Sequence, residues 1–259
     1  MLAAERRHHL LAVLRRDGKI VAKQVATDLG LSEDSVRRDL RELAAEGLCQ
    51  RVYGGALPAS PAMATYAGRR SVSPESKQRV AAAAVRLVRP GGVVILDGGT
   101  TTLAVAQALP HDLPCTVVTH SPTIAAALVD HPSAEVFILG GKLFKHSAVA
   151  CGSAAVEAAQ QVSADLFLLG VTGIHPEQGL TTGDADEAAM KRALVGRAAE
   201  TYVLGSAEKI GAASPYQVVP FGAVTGVITD AADSPTLEGL RAEVDVVVAG
   251  DPDGRAETR

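Results

Sequence analysis

Residues 32–48 read Ser32-Glu33-Asp34-Ser35-Val36-Arg37-Arg38-Asp39-Leu40-Arg41-Glu42-Leu43-Ala44-Ala45-Glu46-Gly47-Leu48, and this stretch decides how the N-terminal part of the chain folds. Val36, Leu40, Leu43 and Ala44 recur at intervals of four, three and one, which places them on one side of an α-helix. Ser32 stands where an N-cap belongs, Glu33 and Asp34 complement the positive end of the helix dipole, and Gly47 ends the pattern. Ser35, Arg37, Arg38 and Arg41 fall on or near the opposite arc. A rod with an apolar back and an arginine-rich front suits the major groove of DNA, where base edges and phosphates are read by hydrogen bonds. Arginine forks read guanine or clamp phosphate, and Ser32 and Ser35 near the helix N-terminus suit phosphate. On an isolated helix the same arginines would instead pair with Glu33, Asp34, Asp39 and Glu42 along the surface.

Two shorter helices precede this one. Leu10, Leu11, Val13 and Leu14 set a helical repeat over 6–16 that Asp17-Gly18 closes, and Val25, Ala26 and Leu29 set another over 22–29 that Gly30 stops. Residues 48–53 then alternate like a strand, turn at Gly54-Gly55 and return through Leu57 and Pro58, so a hairpin follows the three helices as a wing. Arg51 and Tyr53 on that wing would touch the neighbouring DNA backbone. This module is expected to span 1–58. Residues 59–74 hold Ser60, Pro61, Gly68, Ser71, Ser73 and Pro74 around Arg69-Arg70, and predict an exposed linker.

From residue 75 helical and strand patterns alternate. Helices are predicted over 77–88, 101–108, 122–128, 153–161, 187–200 and 236–242, and strands over 93–96, 116–119, 135–139, 166–170, 202–204, 226–229 and 245–248. Val93-Val94-Ile95-Leu96 is apolar on both faces, as a strand inside a covered parallel sheet requires. The fold class is therefore α/β with a mostly parallel sheet over 75–250, and a polar tail over 251–259 that is expected to be frayed and flexible.

The chain has 259 residues and a net charge of −4, which hides an asymmetry. Residues 1–58 hold 10 Lys+Arg against 8 Asp+Glu, whereas 59–259 hold 15 against 21, so only the first part suits nucleic acid. No long apolar run reads as a membrane span, and the charged Glu5-Arg6-Arg7 start does not read as a signal peptide, so a cytoplasmic location is expected. Cys49, Cys115 and Cys151 are odd in number and widely spaced, which fits free thiols better than a disulfide framework. His8-His9, His111, His131, His146 and His175 show no ligand spacing, so neither a metal nor a cofactor is expected.

The run Ser32 to Leu40, followed by Leu43, Glu46-Gly47-Leu48, Arg51 and Gly54-Gly55-Ala56, closely resembles the winged helix-turn-helix of DeoR-family bacterial transcription regulators. Arg6-Arg7, Gly18, Val25-Ala26, Leu29 and Leu31 match upstream, with Val36 standing where that family usually has isoleucine. The resemblance implies that Ser35, Arg37 and Arg38 enter the major groove.

Downstream, Asp97-Gly98-Gly99-Thr100-Thr101-Thr102 runs from a buried strand through a glycine turn into a helix start, a cradle of amides and hydroxyls for an anion such as phosphate. Thr119-His120-Ser121, Gly140-Gly141-Lys142 and the loop Gly179-Leu180-Thr181-Thr182-Gly183-Asp184 would join it if they share one sheet edge. These motifs, with Val117-Val118-Thr119, Glu187-Ala188-Ala189-Met190-Lys191 and Lys209, resemble the DeoR C-terminal sensor domain, which is similar in fold to ribose-5-phosphate isomerase and CoA-transferase-like proteins. The resemblance implies that the threonine loop holds the phosphate of a phosphorylated sugar while Asp97, Glu187, Lys191 and Lys209 face its hydroxyls or charge. His120 replaces the family's usual asparagine and Ser206 its usual aspartate.

The expected protein is thus a homo-oligomeric repressor of a carbohydrate-metabolism operon, binding double-stranded operator DNA and released by a phosphorylated sugar or related metabolite. A sugar-phosphate isomerase or transferase with a DNA-binding appendage is the rival, with Asp97, Asp184 or Glu187 as base, but no acid–base pair is complete. An architectural DNA-binding protein without a ligand would leave the α/β part only oligomerisation to perform.

Overall fold

A computed structural model describes residues 2–61 and 64–250. The N-terminal unit comprises α1 (Ala3–Asp17), β1 (Ile20–Val21), α2 (Ala22–Leu29), α3 (Glu33–Ala45), β2 (Cys49–Val52) and β3 (Gly55–Pro58). Left-handed Gly18 and Gly30 end α1 and α2. The inward sides of the three helices meet in one core that includes Leu10, Leu14, Val25, Val36, Leu40 and Leu43. The wing gains a strand the sequence reading did not anticipate, because β1 pairs with β3 to give the antiparallel order β1-β3-β2. Glycine is required at Gly55, where a Cβ would lie 1.7 Å from the Ile20 carbonyl oxygen. Asp39 belongs to the buried side of α3, not to its surface arc, and it receives the Arg6 guanidinium of α1 through both carboxylate oxygens.

The connecting stretch is exposed or half-buried over most of its described length and is pinned at two buried residues, Ser60 and Arg69. After β3, Ala59 bridges Ala213 and buried Ser60 donates to the Thr172 carbonyl. Residues Tyr66–Arg70 then form a short helix, α4, whose Arg69 is buried although Arg70 remains exposed. The breaker-rich composition was correctly polar in character, but buried hydrogen bonds hold the segment down. The tail 251–259 lies outside the described residues.

The C-terminal unit contains α5 (Pro74–Val85), β4 (Val93–Leu96), α6 (Thr100–Ala108), β5 (Cys115–Thr119), α7 (Pro122–Ala127), β6 (Ala134–Ile138), β7 (Lys142–Phe144) and β8 (Val149–Cys151). It continues through α8 (Ser153–Ala159), β9 (Ala164–Gly170), β10 (Gly173–His175), β11 (Gly179–Thr182), α9 (Ala185–Val195), β12 (Ala198–Gly205), β13 (Tyr216–Gln217), β14 (Gly226–Thr229), α10 (Pro235–Arg241) and β15 (Val246–Val248). Seven strands form a parallel sheet in the order β15-β14-β12-β9-β4-β5-β6. Alternate residues feed two cores: Leu166 and Leu168 of β9 pack on one face, Phe167 and Leu169 on the other. Burial on both faces explains the unbroken apolar runs.

Two expectations fail here. The helix predicted over 187–200 stops at Val195, and its last residues already belong to β12. The stretch 179–184, expected as a loop, begins as β11, which pairs antiparallel with β10 and β13. The order in which successive strands are added reverses between β4 and β9: β4, β5 and β6 are laid down towards one edge of the sheet, and β9, β12, β14 and β15 towards the other. Strand ends diverge at such a switch point and leave a crevice beyond their carboxyl termini.

Candidate functional site

Two surfaces carry the chemistry. On α3, Ser32 caps the helix by accepting from the Ser35 amide at 3.3 Å, and the Ser32 and Ser35 hydroxyls lie 2.9 Å apart. Arg37 donates to Glu33 at 2.6 Å, so the surface pairing open to this arginine is made. Arg38 and Arg41 are exposed and form no hydrogen bond or ion pair among the described residues. At 100° per residue they lie opposite the buried Val36 and Leu40. Arg51 on β2 is exposed, and Tyr53 stands fully in solvent at the wing's tip. The surface is arginine-rich, backed by a packed core, and open.

The second surface is a cleft at the switch point. Gly98 and Gly99 lead from β4 into α6, and a Cβ on Gly98 would lie 1.9 Å from Val149 Cγ1. Gly170, at the end of β9, presses on the same turn: its Cβ would lie 2.9 Å from the Gly98 carbonyl oxygen. Only bare backbone permits this approach, and it aims the first turn of α6, Thr100 to Thr102, at the cleft.

Beneath the floor lies a buried ionic cluster. Asp97 accepts from the Gly98 and Gly170 amides at 2.8 Å each and from Lys191 Nζ at 2.6 Å, and His120 Nε2 lies 2.8 Å from its other oxygen. Burial would push the Asp97 carboxyl up, but Lys191 and His120 outweigh it and hold it at about 2. Burial opposes the charge of Lys191 likewise, and Asp97 and Glu187 overcome it and raise its pKa. Glu187 accepts from the Thr182 hydroxyl at 3.0 Å and the Ser147 hydroxyl at 3.3 Å, and lies 3.4 Å from Lys191. Lys209 donates to Thr101 Oγ1 at 3.1 Å and the Leu204 carbonyl at 3.2 Å. Burial pushes its ammonium down to about 8, with Lys77, Arg69 and Lys191 adding to the fall and Glu208 opposing it.

Of the residues singled out by sequence, Gly98, Gly99, Thr100, Thr101, Thr102, Thr182, Glu187, Lys191 and Lys209 line this cleft. Others do not. Asp97, Thr119 and His120 are fully buried and brace the floor: Thr119 donates to the Leu96 carbonyl, and His120 Nδ1 lies 2.8 Å from the Ala150 carbonyl oxygen. Asp184 caps α9 by accepting from the Glu187 amide at 3.0 Å. Gly140, Gly141 and Lys142 follow β6, the outer strand two places from the switch point, and lie outside the cleft. Lys142 is exposed, and a Cβ on Gly141 would lie 2.8 Å from the Ala155 side chain, so that glycine serves packing.

Sequence reasoning missed Arg69, Lys77, Thr172 and Glu208, which complete the walls. A lysine at 77 on the same helical side as Val80, Ala81 and Ala84 was the available signal. Two polar atoms in these walls are buried without a partner, Arg69 Nε and Glu208 Oε2.

A winged helix-turn-helix ahead of an α/β domain with a lysine- and arginine-lined cleft defines the architecture of a ligand-responsive DNA-binding regulator. The DeoR-like helix-turn-helix domain matches residues 6–61 and the DeoR C terminal sensor domain matches residues 72–231, so the chain belongs to the DeoR family. The HTH-type transcriptional regulator GlpR of Haloferax volcanii is 34% identical, with 96% of this chain and 99% of that protein covered. The HTH-type transcriptional repressor GlcR of Bacillus subtilis is 33% identical, with 89% of each covered. Among solved structures, ribose 5-phosphate isomerase A from Methanocaldococcus jannaschii aligns with a TM-score of 0.40 at 18% identity, over 52% of this chain and 54% of that one.

Proposed function

We propose that this chain is a transcriptional repressor of a carbohydrate-metabolism operon, and that a phosphorylated sugar or related metabolite in the cleft releases it from its operator. The observation that carries the reading is the cleft's donor set. Arg69, Lys77, Lys191 and Lys209 surround a glycine turn and the N-terminus of α6, in a chain whose α3 leaves Arg38 and Arg41 free for DNA. Glu208 Oε2 is buried without a donor, and a sugar hydroxyl would supply one.

Ser32, Ser35, Arg37, Arg38, Arg41, Arg51 and Tyr53 make the DNA-facing set in this reading, over a DNA-binding domain of 1–58 and a sensor of 75–250. Asp97, Thr119 and His120 support the cleft from below. The repressor works in the cytoplasm as a homo-oligomer that presents two or more winged helices to repeated half-sites. Among the described residues no helix is long and apolar enough to cross a membrane. The regulator names of the relatives favour this reading over an enzyme. Asp97 as base is disfavoured further, since four donors saturate its carboxylate and it never meets the cleft.

The test is a titration of the purified chain with a duplex selected from a random pool, repeated with ribose 5-phosphate, glucose 6-phosphate and glycerol 3-phosphate. Specific binding, weakened by at least one of these, is expected. Equal affinity for selected and random duplexes would overturn the reading.

A further inference from the structure

The segment that joins the two domains buries a cation that no carboxylate pairs with directly, although Glu187 lies near enough to favour its charge. Arg69 of α4 lines the cleft and is 7% exposed, yet its Nε has no hydrogen-bond partner. Its terminal nitrogen donates to the His146 carbonyl at 3.1 Å, and its guanidinium carbon stands 5.9 Å from the centre of the Tyr66 ring. Among the described residues it makes no ion pair. A buried guanidinium left this way is costly unless an anion arrives, and the fork geometry of arginine suits a phosphate.

The same segment is fastened around this residue. Tyr66 donates from its amide to the His146 carbonyl and from its hydroxyl to Thr123, each at 3.0 Å. Lys77, another cleft residue, donates to the carbonyls of Arg69 and Val72. At the other end, two residues past the wing strand β3, Ser60 donates to the carbonyl of Thr172, which also lines the cleft. The path from wing to sensor therefore touches the cleft wall near both of its ends.

We propose that Arg69 is the connecting segment's own contact to the bound anion, so that filling the cleft clamps α4 and thereby alters the placement of the winged helix joined to it. The inference rests on the reading of the cleft as the site of a phosphorylated ligand. A ligand shifts such an equilibrium only by its differential affinity for two arrangements, and an arginine that pairs only when the segment is seated supplies that difference.

The full chain is compared with Arg69→Met and Arg70→Gln by calorimetry, using whichever of ribose 5-phosphate, glucose 6-phosphate or glycerol 3-phosphate binds the unmodified chain. Trypsin cleavage after the exposed Arg70 is timed with and without that ligand. The ligand is expected to slow cleavage of the unmodified chain at least tenfold. Arg69→Met is expected to lose that protection and at least tenfold in affinity, while melting no lower than the unmodified chain without ligand. Arg70→Gln keeps its affinity. A merely structural arginine would instead lower the melting temperature and leave affinity within twofold, which overturns the proposal. Arg69→Lys retains the buried charge without the fork, so undiminished affinity in this variant also overturns it. If no probe binds the unmodified chain, it is the reading of the cleft that fails.

Discussion

At the scale of single residues, the cleft works by holding cations where water would normally solvate them. Lys209 is the most telling, because burial brings its pKa down to about 8. A phosphate monoester gains its second charge near pH 6, while Lys209 loses its own above about 8. Effector affinity measured by calorimetry should therefore rise through about pH 6, level off, and fall above about 8, and Lys209→Met should remove the upper limb. Asp97 shows the opposite sign. Its carboxyl is held near 2, below the ordinary 3.8, so the stability it contributes is present above about pH 4 and is lost as pH falls towards 2. Asp97→Asn would leave buried Lys191 with Glu187 as its remaining carboxylate partner and is expected to cost about 3–5 kcal/mol in denaturant unfolding, the range for breaking a buried pair. A loss below about 1 kcal/mol would show that the cluster does not hold the floor.

At the scale of elements, α3 divides its labour around its axis. Arg6 takes Asp39, Glu33 takes Arg37, and Arg38 and Arg41 are left over. Arg38→Ala is expected to lower the preference for operator over random duplex by about 1–3 kcal/mol, read as the ratio of the two dissociation constants. Equal loss on both duplexes would mark it as a phosphate contact alone. The spacing of Val36, Leu40 and Leu43 made this helix legible in the sequence, because a helix that packs on one side leaves a period of 3.6. The seven parallel strands were legible for a related reason, their double-sided burial. What escaped depends on partners far along the chain. Thr181 and Thr182 read as loop residues until β10 and β13 flank them, and Arg69 reads as a linker charge until His146 and Lys77 are folded against it. Gly140-Gly141 shows the converse error, since a glycine pair that suits a phosphate loop here admits a helix side chain.

At the scale of the whole molecule, a mildly basic reader and an acidic sensor share one chain. The connecting segment is the physical link between them, and it passes along the cleft wall near both of its ends. If ligand binding is coupled to DNA binding as proposed, thermodynamic linkage forces any effect of ligand on DNA affinity to be matched by an equal effect of DNA on ligand affinity. Calorimetric titration of the sugar phosphate into the free chain, and then into the chain saturated with operator duplex, tests this most directly. The duplex should weaken ligand affinity by the same factor, about 5- to 150-fold, by which the ligand weakens duplex affinity. Identical ligand affinity in the two titrations would contradict a repressor released by its effector.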